Sequence, residues 1–355
     1  MHAPTPWPKR IRLGRRASHT LFWGALCFVA AQLCWIGLLE WRRPEFFDPK
    51  YGCRLNQLRA CLTKEPGRAL MIVLGSSRSE QGFRPSLLPA DTPGGKAPLV
   101  YNLARGGSSP LLHLLTLRRL LADGIRPDWV LLEVFPPSLA EDDTSATLLK
   151  TTLRDFPLLC HYSISRKTYA YYLRDRALLW WQYRNGLLAG LGPGWLSPSA
   201  RWDRLWDPRS GEWRTIGESV TPGQFQEELA DAGRRYRKKL QDFRIAAEAD
   251  RALRAILELC REQNIRTLLY LMPEASAFRE WYAPSAQALL SNYLAQLGQE
   301  YGSPVIDCRG WVQDDDFWDG HHLLYRGAVT FMRRFYSEVF TRPLTGLGSQ
   351  ASRAP

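Results

Sequence analysis

Apolar positions change their period several times along this chain, and each change marks a different kind of element. From Thr20 to Leu39 the run TLFWGALCFVAAQLCWIGLL is apolar on every side and uncharged. It has about the 20 residues a helix needs to cross the hydrocarbon of a bilayer. Glu40-Trp41-Arg42-Arg43 closes it with interface residues. No small-x-small site follows a short apolar core, and neither Cys27 nor Cys34 sits in a lipobox, so an uncleaved anchor is expected. From about Gly67 short runs replace the long one: Ala69 to Leu74, Leu99 to Leu103, Trp129 to Val134, Thr267 to Met272 and Pro304 to Asp307. Near-continuous apolarity over so few residues suits parallel strands covered on both faces. Between the second and third, PLLHLLTLRRLLA (Pro110 to Ala122) has helical period and stops at Asp123-Gly124. Strands and helices in this alternation predict an α/β fold, a doubly wound and mainly parallel five-stranded sheet in three layers. Ligands of such sheets bind beyond the carboxyl ends of the strands.

The alternation breaks from about 140 to 219. Tyr169 to Tyr172, Trp180-Trp181, Gly190 to Trp195 and Trp202 to Trp213 read as a helical, Trp-rich insertion covering the site. Leu178 to Leu196 is apolar enough to suggest a second span, but Arg184, Asn185 and Pro193 favour a lid or interfacial helix. From Thr221 to Gln263 the pattern is helical, with Thr221 as N-cap, Pro222 at N1 and a solvated charged face from Arg234 to Lys239. The expected organisation is a basic tail over 1–19, the anchor over 20–39, a linker over 40–66, one domain over 67–340 and a disordered tail over 341–355.

Composition and charge then narrow the setting. With 355 residues, 45% hydrophobic and 23% charged, the chain is globular rather than disordered. Lys9, Arg10, Arg12, Arg15 and Arg16 precede the apolar span without an acid, which puts the N-terminus in the cytoplasm and the bulk of the chain outside. The formal net charge is +12. A nucleic-acid reading would need a zinc-finger, RNP or helix-turn-helix pattern, and none is present; an anionic envelope surface is the better match. Tryptophan and arginine suit carbohydrate or membrane-surface contact, although a large core accounts for the same 14 tryptophans. Cys53 and Cys61 lie in a loop-like segment facing an oxidising compartment, so a short-loop disulfide is expected between them. Cys160, Cys260 and Cys308 show no metal-ligand spacing and read as small buried hydrophobes.

The candidate chemistry sits at two distant places. Asp319-Gly320-His321-His322 puts a carboxylate three residues before an imidazole, so Asp319 can hold Nδ1 of His322 and leave Nε2 free as a base. A nucleophile for that base is Ser77, in the glycine-opened turn Gly75-Ser76-Ser77-Arg78-Ser79 after the first strand. Taken singly, Ser77 reads equally as a helix N-cap and the Asp-His pair as a structural one. His321 has the wrong spacing to Asp319 and is placed behind the site or on the surface, and His113 and His161 are given no role. Glu274, at the end of the fourth strand, points to the same rim and reads equally as a site-lining group or as a helix-entry carboxylate. Asp314-Asp315-Asp316 beside two adjacent histidines does not make a converging ligand set, so no metal and no cofactor are expected.

Gly75-Ser76-Ser77, Asn102 to Gly107 (NLARGG) and Asp319-x-x-His322 together resemble the SGNH/GDSL hydrolase superfamily, over about residues 67 to 140 and 265 to 340. The resemblance implies an SGNH/flavodoxin-like three-layer domain. In it Ser77 is the nucleophile, Gly107 (five residues after Asn102) an oxyanion donor, His322 the base and Asp319 its orienter. Ser76 stands where the family often has Asp. The Gly-Ser-Ser and Asp-Gly-His-His runs look more like membrane-anchored envelope members, such as teichoic acid D-alanylation and alginate O-acetylation proteins, than like secreted lipases. One block departs. Glu133-Val134-Phe135-Pro136-Pro137-Ser138 stands where the family has Gly-x-Asn, whose amide is a third oxyanion donor. Losing such a donor costs roughly 10²- to 10³-fold in rate, unless Ser138, Arg78 or another group substitutes. The implied activity is that of a membrane-anchored serine esterase or O-acyltransferase on acyl esters of cell-envelope polysaccharide. Its implied partners are a glycan or acylated small molecule and a membrane-bound acyltransferase that delivers the acyl group. The competing reading, favoured by the missing Asn, is a non-catalytic glycan-binding or assembly protein on the same fold.

Overall fold

The computed structural model describes residues 15–42, 47–92, 95–141, 151–162, 166–177, 184, 188, 192–197, 201 and 204–340. Its central sheet has five strands: β1 (Leu70–Leu74), β2 (Leu99–Asn102), β3 (Trp129–Glu133), β4 (Arg266–Leu271) and β5 (Val305–Asp307). All pairings are parallel and the order is β2-β1-β3-β4-β5. Each of the five short apolar runs is thus a strand. The principal helices are α1 (Arg15–Arg42), α2 (Pro49–Lys64), α3 (Ser77–Gly82), α4 (Pro110–Ala122), α5 (Pro136–Leu139), α6 (Arg166–Ala177), α7 (Pro222–Gln241), α8 (Ala247–Glu262), α9 (Pro284–Tyr301) and α10 (Tyr325–Phe335).

Strand pleating sends alternate side chains to opposite faces, and here both faces are buried. Leu70, Ile72 and Leu74 of β1 join a core completed by Leu58 of α2, Leu114 of α4 and Ile256 of α8. Met71 and Val73 join another, with Phe83 and the Phe331 and Phe335 of α10. A strand wrapped in this way has to be apolar throughout, which explains its sequence.

Four expectations about the flanks of the sheet need correction. Residues 49–64 are not a linker: they form α2, whose Leu55 and Leu58 are buried in the domain core, each stabilising it by about 1.5–3 kcal/mol. Helix α2 also rules out the Cys53–Cys61 disulfide. Eight residues along a helix separate the two by about 12 Å, well beyond the roughly 7 Å that a disulfide spans between Cα atoms. Neither cysteine forms a disulfide, and Cys61 Sγ donates to the Pro208 carbonyl at 3.1 Å. Cys260 and Cys308 are buried as expected, but Cys160 is exposed. The helical run from Thr221 is two helices. It starts on a capping box between Thr221 and Gln224 and breaks at 242–246, where Phe243 and Ala246 turn inward and the Ala246 N–H donates to Leu139 O at 2.8 Å.

Helix α1 carries Leu21, Phe22, Trp23 and Phe28 exposed, and its segment His19–Glu40 is long and apolar enough to cross a membrane, with a mean hydropathy of 1.9. Residues 1–14 and 341–355, and most of Leu178 to Leu196, lie outside the described residues. Apart from Glu141, the described part of the insertion does not line the expected site. It closes the free edge of β2 instead, with Asn102 N–H donating to Ser210 O at 2.7 Å. Fully buried Trp206 there packs edge-to-face on Trp213 at 5.3 Å.

Candidate active site

Beyond the carboxyl ends of β1, β2 and β3, the chain makes three consecutive turns around one small cavity. It is lined by Ser76 and Ser77 from the first, Gly107 to Ser109 from the second, and Phe135, Pro137 and Ser138 from the third. In the first turn a Cβ on Gly75 would lie 2.5 Å from Glu133 Oε2 and 2.7 Å from Ser79 Cβ, so no larger residue fits. The N-cap of α3 is Ser76, not Ser77: Ser76 Oγ accepts from Arg78 N–H at 3.2 Å. Ser77 is the first helical residue, half-buried and released from the capping role. Its own N–H has no acceptor among the described residues. The buried Glu133 carboxylate at the end of β3 holds the turn from below, accepting from Ser76 N–H (2.7 Å), Ser76 Oγ (2.9 Å) and Ser79 Oγ (2.5 Å).

The opposite side comes from the loop between β5 and α10. A bridge between Phe317 and Leu323 closes this loop, and Trp318 N–H donates to His322 O at 2.8 Å. Gly320 sits in the left-handed region at φ 87° with its carbonyl accepting from Ala275 N–H at 2.9 Å, which lets the chain reverse between Asp319 and His322. Asp319 Oδ1 accepts the N–H groups of His321 (3.1 Å) and His322 (2.8 Å), while Oδ2 lies 2.7 Å from His322 Nδ1. His322 Nε2 lies 2.8 Å from Ser77 Oγ. Burial works to raise the Asp319 carboxyl, but the charges of His322 and His321 and their hydrogen bonds bring it well below the usual carboxylate range. Asp319 is therefore ionised at neutral pH and can only accept. That assigns the proton to His322 Nδ1 and leaves Nε2 to accept from the Ser77 hydroxyl. Such a relay can take the serine proton as the oxygen attacks an electrophile.

Gly107 lies beside the turn that carries Ser77: a Cβ on its neighbour Gly106 would be 3.7 Å from Ser77 Cβ. Gly106 N–H is spent on Glu80 Oε2 at 2.8 Å, whereas the Gly107 N–H has no acceptor among the described residues. Ser77 and Gly107 thus present two unpaired N–H donors at one cavity. Ser138 also lines it, with its hydroxyl turned back to Phe135 O at 2.7 Å, so it donates elsewhere only after rotating.

Three other expected site residues are structural. Arg78 is buried against Phe135, donating to Met272 O (2.7 Å), Pro273 O (2.9 Å) and Glu274 Oε1 (3.2 Å). It faces away from the cavity and offers no oxyanion donor. Glu274 is fully buried between Arg78 and Tyr282 Oη (3.0 Å) and does not line the rim. Burial raises its carboxyl, with Arg78 opposing. Asn102 clamps the backbone, its amide donating to Ser79 O (2.8 Å) and Phe83 O (2.7 Å) while its carbonyl accepts from Ala104 N–H (2.9 Å).

Sequence reasoning missed one wall. Tyr236 and Lys239 of α7 and Glu141 after α5 complete the cavity lining, with Lys239 Nζ paired to Glu141 Oε2 at 2.7 Å. The charged run Arg234 to Lys239 looked like a solvated face. The available signal was Tyr236, an aromatic at helical spacing from the buried Ala232 and Leu240. His321 is buried rather than on the surface. It packs on Phe135, Phe278 and Tyr236, and its Nδ1 lies 3.1 Å from Asp319 Oδ1. Burial, then the neighbouring His322, lowers its pKa to about 4, so it is neutral at pH 7. Asp319, His321 and His322 bring ligand atoms within 4.8 Å of one another, the converging set that adjacent histidines were not expected to give. The hydrogen-bonded relay accounts for Asp319 and His322, whose Nδ1 and Nε2 meet Asp319 and Ser77, whereas buried His321 Nδ1 lies near the carboxylate without a hydrogen bond among the described residues.

A family model described as a protein of unknown function (DUF1574) matches residues 54–184, and a second, uncharacterised family model matches residues 230–344. The first span holds Ser77 and Gly107; the second holds Tyr236, Asp319 and His322. No curated protein matches the chain.

Proposed function

We propose that this chain is a membrane-anchored serine esterase or O-acyltransferase of the SGNH type, with its domain outside the cytoplasm, acting on acyl esters of cell-envelope polysaccharide. The observation that carries the reading is the unbroken path from Ser77 Oγ to His322 Nε2 (2.8 Å) and from His322 Nδ1 to Asp319 Oδ2 (2.7 Å). In the proposed reaction Ser77 Oγ adds to the acyl carbonyl and its proton passes to His322 Nε2. The resulting oxyanion is held by the N–H groups of Ser77 and Gly107. Collapse breaks the bond to the alcohol, which leaves with the proton from His322, and the acyl group stays on Ser77. A water, or a sugar hydroxyl bound at the same cavity, then attacks with His322 again as base. Hydroxyl-rich lining from Ser108, Ser109 and Ser138 beside Tyr236 suits a sugar acceptor. The glycan, and an acyl donor supplied by a multispanning membrane acyltransferase, come from the resemblance alone. Two donors instead of three, given Pro136-Pro137 in the third turn, make slow hydrolysis part of the expectation.

Release of acetate from a chromogenic acetyl ester tests the reading. The wild-type chain is expected to turn over slowly but measurably, with Ser77→Ala and His322→Ala at background. Equal turnover by wild type and Ser77→Ala would favour the non-catalytic glycan-binding reading.

A further inference from the structure

A second cavity of about 300 Å³ lies away from Ser77, between α2, α4 and residues 152–158. That volume falls at the lower end of the range for small-molecule sites. Leu55, Leu115, Pro157 and Leu158 give it an apolar lining. Its carboxylates are all neutralised. Asp48 takes Arg105 (2.6 Å) and Arg119 (3.0 Å), Asp155 takes Arg119 (2.6 Å), and Asp123 takes Arg59 (3.3 Å) and Tyr51 Oη (2.9 Å). Those three acids face Arg59, Arg105 and Arg119, which leaves Arg118 and Arg154 as surplus positive charge on the lining. Both are exposed and neither has a carboxylate partner among the described residues.

The position of the cavity says what it meets. Asp48, on its wall, is six residues after Arg42, where α1 ends, and six residues reach at most about 20 Å. If α1 crosses a membrane, the cavity is held within reach of that membrane's headgroup layer, on the side where the domain lies. A planar guanidinium pairs readily with phosphate, and apolar side chains behind two such groups match an amphiphile better than a small hydrophilic ion.

We propose that this cavity binds an anionic phospholipid, with its phosphate at Arg118 and Arg154 and an acyl segment against Leu55, Leu115 and Leu158. The proposal rests on reading α1 as a membrane anchor. It is independent of the chemistry at Ser77.

Native mass spectrometry of the full chain in neutral detergent, titrated with phosphatidylglycerol or phosphatidylcholine, tests it. Phosphatidylglycerol should be retained selectively. The exposed double variant Arg118→Ala/Arg154→Ala should weaken retention about tenfold or more, and Asn56→Trp, which fills the cavity from an exposed position on its lining, should do the same. Ester turnover should be unchanged in all variants, which separates failure here from failure at Ser77. Equal retention of the two lipids, or undiminished retention by the variants, would overturn the proposal. So would displacement by millimolar inorganic phosphate, which would make the cavity a free-anion site, and so would recovery of the full chain from cells in the soluble fraction.

Discussion

Each ring nitrogen of His322 has one partner, and the order of those partners decides what the residue can do. Nδ1 meets an ionised carboxylate and Nε2 meets a hydroxyl, so the tautomer is set by Asp319. Asp319→Asn would let the amide donate to Nδ1 and move the ring proton to Nε2, where it can no longer accept from Ser77. We expect the fold to persist and ester turnover to fall about 10³- to 10⁴-fold, read as kcat with the thermal midpoint recorded alongside; unaltered turnover would show that Asp319 does not orient the base. Arg78 poses the opposite case. Its guanidinium sits in a fully buried pair with Glu274, and removing one partner of such a pair typically costs about 3–5 kcal/mol. Arg78→Ala should therefore lower the denaturation midpoint sharply. A stable variant with selectively lost turnover would instead return Arg78 to the oxyanion site.

At the scale of elements, the sequence is most informative where an element packs on two sides. Strands buried on both faces cannot avoid long apolar runs, which made β1 to β4 legible; β5, only half-buried to exposed, was read from the short run before Asp307. So was the relay, because three of its parts sit immediately after strands or in a tight loop, where local sequence and local geometry coincide. Helix α2 was not, since its first turns are PKYGCRLN, with only Tyr51, Leu55 and Leu58 as widely spaced apolar anchors. The wall from α7 was missed for a related reason: a basic helix reads as solvated unless its partner is known, and Tyr236 finds that partner in Phe135, far away along the chain but 5.4 Å between ring centroids in space. Arg78 and Glu274 were misassigned because a charged residue beside a candidate nucleophile looks functional until its burial is seen.

Across the whole molecule, buried histidines tie stability to pH. Burial lowers His113 to about 4, although Glu133 and a hydrogen bond with the Gly75 backbone pull the other way, and it lowers His321 to a similar value. An unfolded histidine titrates near 6.5. Above that pH both states are neutral and the full stability is present; as pH falls toward 4 the unfolded chain takes up protons that the folded one refuses, and stability is lost. For His113 alone this amounts to about 2 kcal/mol at pH 5. Urea unfolding at pH 7 and pH 5 should show the loss, and His113→Leu should flatten it; an unchanged pH dependence in that variant would assign the effect elsewhere.

The proposed relay has one product that no structural serine makes, a covalent bond at Ser77 Oγ. Incubation of the folded chain with a fluorophosphonate probe, followed by peptide mass spectrometry, should find the label on Ser77, absent in His322→Ala and slowed in Asp319→Asn. A chain with its native thermal midpoint whose Ser77 stays unlabelled, at probe concentrations that modify other serine hydrolases, would contradict the account.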